Sequence, residues 1–184
     1  MKSKTIELQP KPFELLFPQD RIQRVIAGLG RRISADYADK NPVLLGVLKG
    51  SFIFIADLAR AMTIPSEVEF ISAHSYGSGR SPGELTLSAG PQASLSGRHV
   101  LLVEAVVDTG RTAASILKAV KTIEPASVEI VTLLNKTGRR EVKLDIKYAG
   151  FEVKKDFVIG FGLDHNQIYR NLPFIGKVVE KADK

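Results

Sequence analysis

The segment VLLVEAVVDTGRTAAS (100–115) reads as a buried strand, a tight turn and the start of a helix. Gly110 lets the backbone approach a ligand closely, and Thr109, Arg111 and Thr112 add hydrogen-bond donors. The first turn of the following helix offers free N–H groups at its positive end. Those are the parts of a phosphate cradle, placed where open α/β sheets bind ligands, beyond the carboxyl end of a strand. The Gly-x-x-x-x-Gly-Lys pattern of a Walker loop is absent. Glu104 and Asp108 bracket the cradle with carboxylates, which a phosphate alone would repel. A divalent cation, sugar hydroxyls, or a base that must lose a proton would each account for them. On local sequence alone, Asp-Thr-Gly is more often a helix cap with no ligand.

The elements that must position this turn are legible on either side of it. Residues 20–34 place Ile22, Val25, Ile26, Leu29 and Ile33 at helical spacing, with Asp20 as the expected cap. Asn41-Pro42 ends that helix, and PVLLGVL (42–48) has the composition of a buried parallel strand. A polar turn, Lys49-Gly50-Ser51, leads into a helix over SFIFIADLARAM (51–62) and a strand over 67–74. From Ser75 to Pro91 the chain is rich in Gly, Ser and Pro, with a short hairpin expected at 84–87. A run of that length is either a functional lid or an ordinary surface loop. A strand follows at 99–107, then a helix carrying Ala113, Ile116, Leu117, Val120 and Ile123 on one face, closed by Pro125. Further strands are expected at 128–134, 146–151 and 157–161. Strands alternating with helices argue for an α/β fold with a mostly parallel sheet.

The chain has 184 residues, 44% of them hydrophobic, enough for one domain with a full core. It contains no cysteine, which removes disulfides, thiolate nucleophiles and cysteine metal sites together. No stretch approaches the length of a membrane span, and the opening MKSKTIELQPKPFELL lacks the apolar block of a secretory signal. A cytoplasmic protein is expected. The net charge of +6 calls for an acidic partner. Basic residues are spread along the chain without interleaved aromatics, so the expected partner is a small polyanion rather than nucleic acid or a membrane. His74, His99 and His165 lack metal-ligand spacing; His99 reads as a strand-edge residue and the other two have no assigned role.

VEAVVDTGRTA (103–113) resembles the diphosphoribosyl-diphosphate motif of the type I phosphoribosyltransferases. Four further segments are similar to the hypoxanthine-guanine phosphoribosyltransferases, in that family's order and spacing. VLKGS (47–51) resembles its pyrophosphate loop, and Ser75-Tyr76 stands where its mobile lid begins. LLNKTGRR (133–140) resembles the strand end that carries its purine-recognising lysine, and KDFVIGFGLDHNQIYRNLPFIG (155–176) its C-terminal hood. The resemblance spans roughly residues 12–180. It implies one type I phosphoribosyltransferase domain over residues 1–184. The core would cover about 20–150, the hood about 1–19 and 151–184, and the lid loop 75–91. It also implies a dimer or tetramer.

The resemblance implies a role for each matching residue. Asp108 would take the proton leaving the purine N7, and its charge would favour an oxocarbenium-like centre. Thr109, Gly110, Arg111 and Thr112 would hold the 5′-phosphate. Glu104 would contact the ribose hydroxyls and a magnesium ion (Mg2+). Lys49, Gly50 and Arg170 would bind pyrophosphate. In the family, the loop at Lys49-Gly50 can contain a non-proline cis peptide. Lys136 would donate to the purine O6, which selects oxopurines over adenine. Phe157 would stack on the base, and Val158 would present backbone groups to its edge. Asp164 would help hold a second magnesium through water. Ser75 and Tyr76 would close over the site and exclude water.

One position departs from the family pattern: Ala105 stands where a second acid usually follows Glu104. An active enzyme with weaker binding of the activated sugar, or altered magnesium dependence, is expected. A non-catalytic nucleotide sensor is the competing reading. Acceptors such as adenine, uracil or orotate are disfavoured by Lys136 and the 157–164 segment. The choice among hypoxanthine, guanine and xanthine is not legible.

Overall fold

The computed structural model describes residues 13–74, 86–87 and 95–179. Its larger sheet has six strands in the order β4-β3-β2-β5-β6-β7. These are β2 (Val43–Leu48), β3 (Glu67–His74), β4 (Thr86–Leu87), β5 (His99–Val107), β6 (Ser127–Lys136) and β7 (Tyr148–Val153). β3, β2, β5, β6 and β7 run parallel, and β4 pairs antiparallel with the end of β3. Thr86 and Leu87, from the expected 84–87 hairpin, pair with Ala73 and His74 of β3, and Glu84 and Leu85 lie outside the described residues. The rest of that segment, Ser75 and Tyr76 included, lies outside the described residues.

Three helices cover the sheet: α1 (Gln19–Asp36), α2 (Phe52–Ala61) and α3 (Arg111–Lys121). Successive strand residues face opposite sides, and both sides are covered. Leu44, Leu101, Val103 and Leu133 join Ile22, Ile26, Ile33, Phe54 and Leu58 in the core beneath α1 and α2. Val43, Leu45, Val100, Leu102 and Ile130 join Ala113, Ile116 and Val120 beneath α3. That two-sided burial is why these strands read as continuous apolar runs.

α1 begins one residue earlier than the spacing predicts, and its cap is Pro18 rather than Asp20. The carbonyl of Pro18 accepts from the amides of Arg21 and Ile22, both at 3.1 Å. Asp20 lies within the first turn and pairs instead with Arg24 at 2.7 Å. His99 opens β5, a strand flanked on both sides, and its Nδ1 lies 2.8 Å from the Ser127 hydroxyl on β6.

A second sheet has the order β1-β9-β8, built from β1 (Phe13–Phe17), β9 (Ile175–Val178) and β8 (Val158–Ile159). Both pairings are antiparallel, so the first and last described strands close on each other. Phe17 of β1 stacks on Phe151 of β7 with ring centroids 4.0 Å apart, which anchors this small sheet to the larger one. β7 extends across the boundary expected near residue 150.

α1 and α2 approach at Gly30, where an added Cβ would lie 2.5 Å from the Ala61 carbonyl oxygen and 2.8 Å from its Cβ. An alanine in an exposed helix interior ordinarily stabilises by about 1 kcal/mol over glycine. Here the sign should invert. Gly30→Ala is expected to destabilise by about 1–3 kcal/mol in urea unfolding, through forced separation of the helices; a variant more stable than the parent would refute the close packing.

Candidate active site

β5 and β6 pair in parallel register as far as Val107↔Asn135. Asp108 and Lys136 are the next residue on each side, so the register sets them next to one another. Lys136 Nζ donates to Asp108 Oδ2 at 3.1 Å, and Arg139 Nη1 lies 3.7 Å from the same oxygen. The Lys136 side chain is only 7% exposed, so its charge depends on that carboxylate. Asp108 Oδ1 is sealed from solvent and has no partner.

The turn after Asp108 is shaped by Gly110, whose φ of +87° is open to glycine and strained for other residues. A side chain would not fit there in any case, since a Cβ would lie 2.9 Å from Leu144 and 3.3 Å from the Val142 carbonyl. Gly110 caps α3, and its carbonyl accepts from Ala114 at 2.9 Å. Arg111, 74% exposed, pairs with Glu141 at 2.5 Å. Thr109, Gly110, Arg111 and Thr112 therefore surround the positive end of a helix, one residue beyond a carboxylate.

Glu104 stands on β5 four residues before Asp108. The residue is half-buried, but its Oε1 is sealed and has no hydrogen-bond partner. Burial pushes its carboxyl up to about 7.

A second cluster forms where the hood meets the end of β2. The Leu48–Lys49 peptide is cis. Lys49 is exposed, and the Ser51 hydroxyl donates to the Val47 carbonyl at 2.8 Å. Gly162 packs so closely on the Gly50 carbonyl that a Cβ there would collide with it. Arg170 donates to the Gly162 carbonyl at 2.8 Å and pairs with Asp164 at 2.7 Å. The guanidinium, the acid and the 49–51 loop thus form one group. Ala105 lies between the clusters: a Cβ on Gly50 would sit 3.8 Å from Leu163 and 4.0 Å from Ala105.

Phe157 precedes β8 and is 50% exposed, its ring meeting His165 edge to face at 5.4 Å. Val158 is buried in β8. A cavity of about 630 Å³ opens beside Phe157, lined in part by Arg139, Lys155 and His165. Among the described residues no three metal-ligating side chains converge. The unpartnered carboxylate oxygens of Glu104 and Asp108 are of the donor type that a hard cation takes.

Residues 139–144 support the turn in a way the sequence did not announce. The Glu141 and Val142 amides both donate to the Thr109 carbonyl, at 2.9 and 3.2 Å. Arg140 Nη2 reaches the Val107 carbonyl, the Asn135 side chain and the Lys136 carbonyl. The adjacent pair Arg139-Arg140 was the available signal; composition presents it only as local positive charge.

The chain matches the phosphoribosyl transferase domain family over residues 16–166. It is 41% identical over 169 residues to a hypoxanthine phosphoribosyltransferase of Salmonella typhimurium, covering 90% of this chain and 95% of that one. Its fold is similar to a Staphylococcus aureus hypoxanthine phosphoribosyltransferase, with TM-score 0.85, 35% identity, and 90% and 91% of the two chains covered. A hypoxanthine-guanine phosphoribosyltransferase of Bacillus anthracis gives TM-score 0.85 and 35% identity over 90% of this chain and 98% of that one.

The buried carboxyl of Glu104 should be visible in stability. The folded protein keeps this proton up to about pH 7, while the unfolded chain releases it near 4.5. The native state therefore binds more protons between those values, and this group's contribution to stability falls as pH rises through that window. Glu104→Gln should remove the effect. Its advantage over the parent in urea unfolding should be absent at low pH, grow through the window, and level off above pH 7 at up to about 3 kcal/mol. Parallel pH profiles for the two proteins would refute it.

Proposed function

Since the chain belongs to the phosphoribosyltransferases, and among them to the hypoxanthine phosphoribosyltransferases, we propose that it performs purine salvage. It transfers the 5-phosphoribosyl group of phosphoribosyl diphosphate to hypoxanthine or guanine, giving IMP or GMP and pyrophosphate. The observation that carries this reading is the Asp108–Lys136 pair, 3.1 Å apart and one residue from the helix-capping turn.

An oxopurine presents an acceptor, O6, beside a donor, N7–H. Lys136 supplies the matching donor and Asp108 the matching acceptor. As N9 forms its bond to the sugar C1, the C1–oxygen bond breaks and its electron pair leaves with pyrophosphate. The N7 proton passes to Asp108. Carboxylate charge near C1 favours the cationic character that develops there. Thr109, Gly110, Arg111 and Thr112 hold the 5′-phosphate, while Lys49, Gly50 and Arg170 hold pyrophosphate. Phe157, half uncovered, offers a face to the base, and Val158 holds the base edge through its backbone.

Glu104 and Asp164 would hold magnesium; the unpartnered Oε1 of Glu104 supports this assignment. When bound, magnesium neutralises the charge on pyrophosphate. The partners are small molecules and a second copy of the chain, as a homodimer or homotetramer. Phe52, Val68, Phe70 and Ile168, each roughly 40% exposed, supply apolar surface for self-association. No described helix is long and apolar enough to cross a membrane, and the substrates accord with a cytoplasmic location. The reading as a non-catalytic sensor draws no support from relatives that carry enzyme names.

Absorbance assays with phosphoribosyl diphosphate, magnesium and each base in turn test the proposal. Hypoxanthine or guanine should be consumed and adenine spared. Lys136→Ala should lower kcat/KM for the oxopurine roughly 10- to 100-fold, as expected for losing a charged hydrogen bond. Equal use of adenine by the parent would overturn the reading. Ala105→Asp should lower the KM for phosphoribosyl diphosphate or for magnesium by about tenfold. Unchanged constants there would show that the missing acid has no influence on sugar binding.

A further inference from the structure

Arg140 occupies an unusual place for a cation. Its Nη2 lies 3.4 Å from the Val107 carbonyl and 2.5 Å from Asn135 Oδ1, and these two residues form the last rung of the β5–β6 ladder. It also lies 3.3 Å from the Lys136 carbonyl. One guanidinium therefore bridges both strands at the point where regular pairing stops. The residues just beyond, Asp108 and Lys136, are the pair to which the proposed function gives the proton transfer and the O6 contact. The same side chain reaches under the phosphate turn: a Cβ on Gly110 would lie 3.3 Å from Arg140 Cδ. Its Nε is buried without a partner, so the side chain is held for its terminal contacts and not for full satisfaction of its donors.

We propose that Arg140 is a positioning residue that fixes the distance between the base-binding pair and the 5′-phosphate turn. Beyond the last β5–β6 rung Lys136 is still paired with Val153 of β7, but no ladder bond ties it to Asp108 across the two strands. The Arg140 Nη2 nitrogen supplies bonds to both strands at that point. The Arg140 stem, together with Leu144 and Val142, supports Gly110 from below. A nucleotide spans both places, with its base at Asp108 and Lys136 and its phosphate at 109–112. A shift of about 1 Å between them would misplace both ends of one ligand, and misplacement of that size can reduce catalysis about 100-fold. The inference rests on the proposed function, because only a ligand reaching both places makes their separation matter.

The test compares wild type with Arg140→Met, Arg140→Lys and Asn135→Ala in steady-state turnover of hypoxanthine, with both Michaelis constants, and in calorimetric binding of GMP. Thermal unfolding of each protein is followed alongside. For Arg140→Met the expected result is a rise in the Michaelis constants of both the base and the sugar diphosphate, and GMP binding weakened roughly 10- to 100-fold. Arg140→Lys, which keeps the charge but not the planar reach of Nη2 to three acceptors, should fall between wild type and Met. Asn135→Ala removes the shortest of the three contacts, leaves the guanidinium in place, and should show the same double rise to a smaller degree. If Arg140→Met does not fold, the other two variants decide. Unchanged Michaelis constants and GMP affinity in folded variants, even with a lowered unfolding temperature, would reduce Arg140 to a scaffold residue and overturn the proposal. So would a rise in one constant alone. Wild type itself separates the two readings: an active wild type with indifferent variants rejects only the role of Arg140, whereas a wild type that neither turns over nor binds GMP rejects the proposed function and this inference with it.

Discussion

The parallel pairing of β5 with β6 is the constraint from which the site follows. Asp108 and Lys136 are far apart in sequence and meet because the register from His99↔Ser127 to Val107↔Asn135 carries both strands to the same edge. A parallel pair needs a crossover, and here the crossover is α3. Because that helix must start directly after β5 to cover Val100, Leu102 and Ile130, its positive end lies beside the acid. The glycine-capped helix start and the acid–lysine pair are thus two consequences of one topological step. A buried ammonium is tolerable only with a counter-charge in reach, so the pair also holds the strand ends to their positions.

The hood depends on a different device. Between β8 and β9 the chain turns through Phe161, Asn166, Gln167 and Tyr169 at positive φ, together with Gly160 and Gly162. A non-glycine residue in that region persists only where its surroundings hold it. The surroundings here are the Arg170 bonds to Gly162 and Asp164, the Gln167 amide bond to Asp164, and the contact of Gly162 with Gly50. Antiparallel pairing of β1 with β9 then ties the hood back to the start of α1.

Legibility of the sequence followed burial. Strands covered on both faces read as apolar runs, and β5 appears with the boundaries expected from HVLLVEAVV. β1 and β9 did not stand out, because a small sheet half open to solvent imposes no long apolar or alternating pattern: in β1, four of the five residues are at least partly exposed. The Pro18 cap escaped notice because its carbonyl, and not a side chain, meets the first turn. Within the site, Asp108 and the 109–112 turn were legible from turn chemistry. Lys136, Arg170, Phe157 and Asp164 were not, since each is an ordinary residue type whose meaning comes from what lies opposite. Arg140 was missed for the same reason: its partners are mostly backbone carbonyls, which no side-chain pattern records.

The charges of the free site are arranged so that nearly every one is already met. Lys136 has Asp108, Arg170 has Asp164, and Arg111 has Glu141. On the proposed function, ligands exchange partners within these pairs instead of entering a field of bare charge, which reduces the desolvation needed to close the site. Among the described residues the exceptions are Glu104 and the exposed Lys49. Burial pushes the Glu104 carboxyl up to about 7. A second acid at position 105, a buried position beside Gly50, would face burial as well, with a like charge one residue away. On the proposed function, Ala105 relieves the free protein of that repulsion and leaves Glu104 to meet the sugar hydroxyls and the cation alone. The departure from the family pattern would then shift the balance between stability of the empty site and affinity for the activated sugar, with the Asp108–Lys136 pair untouched.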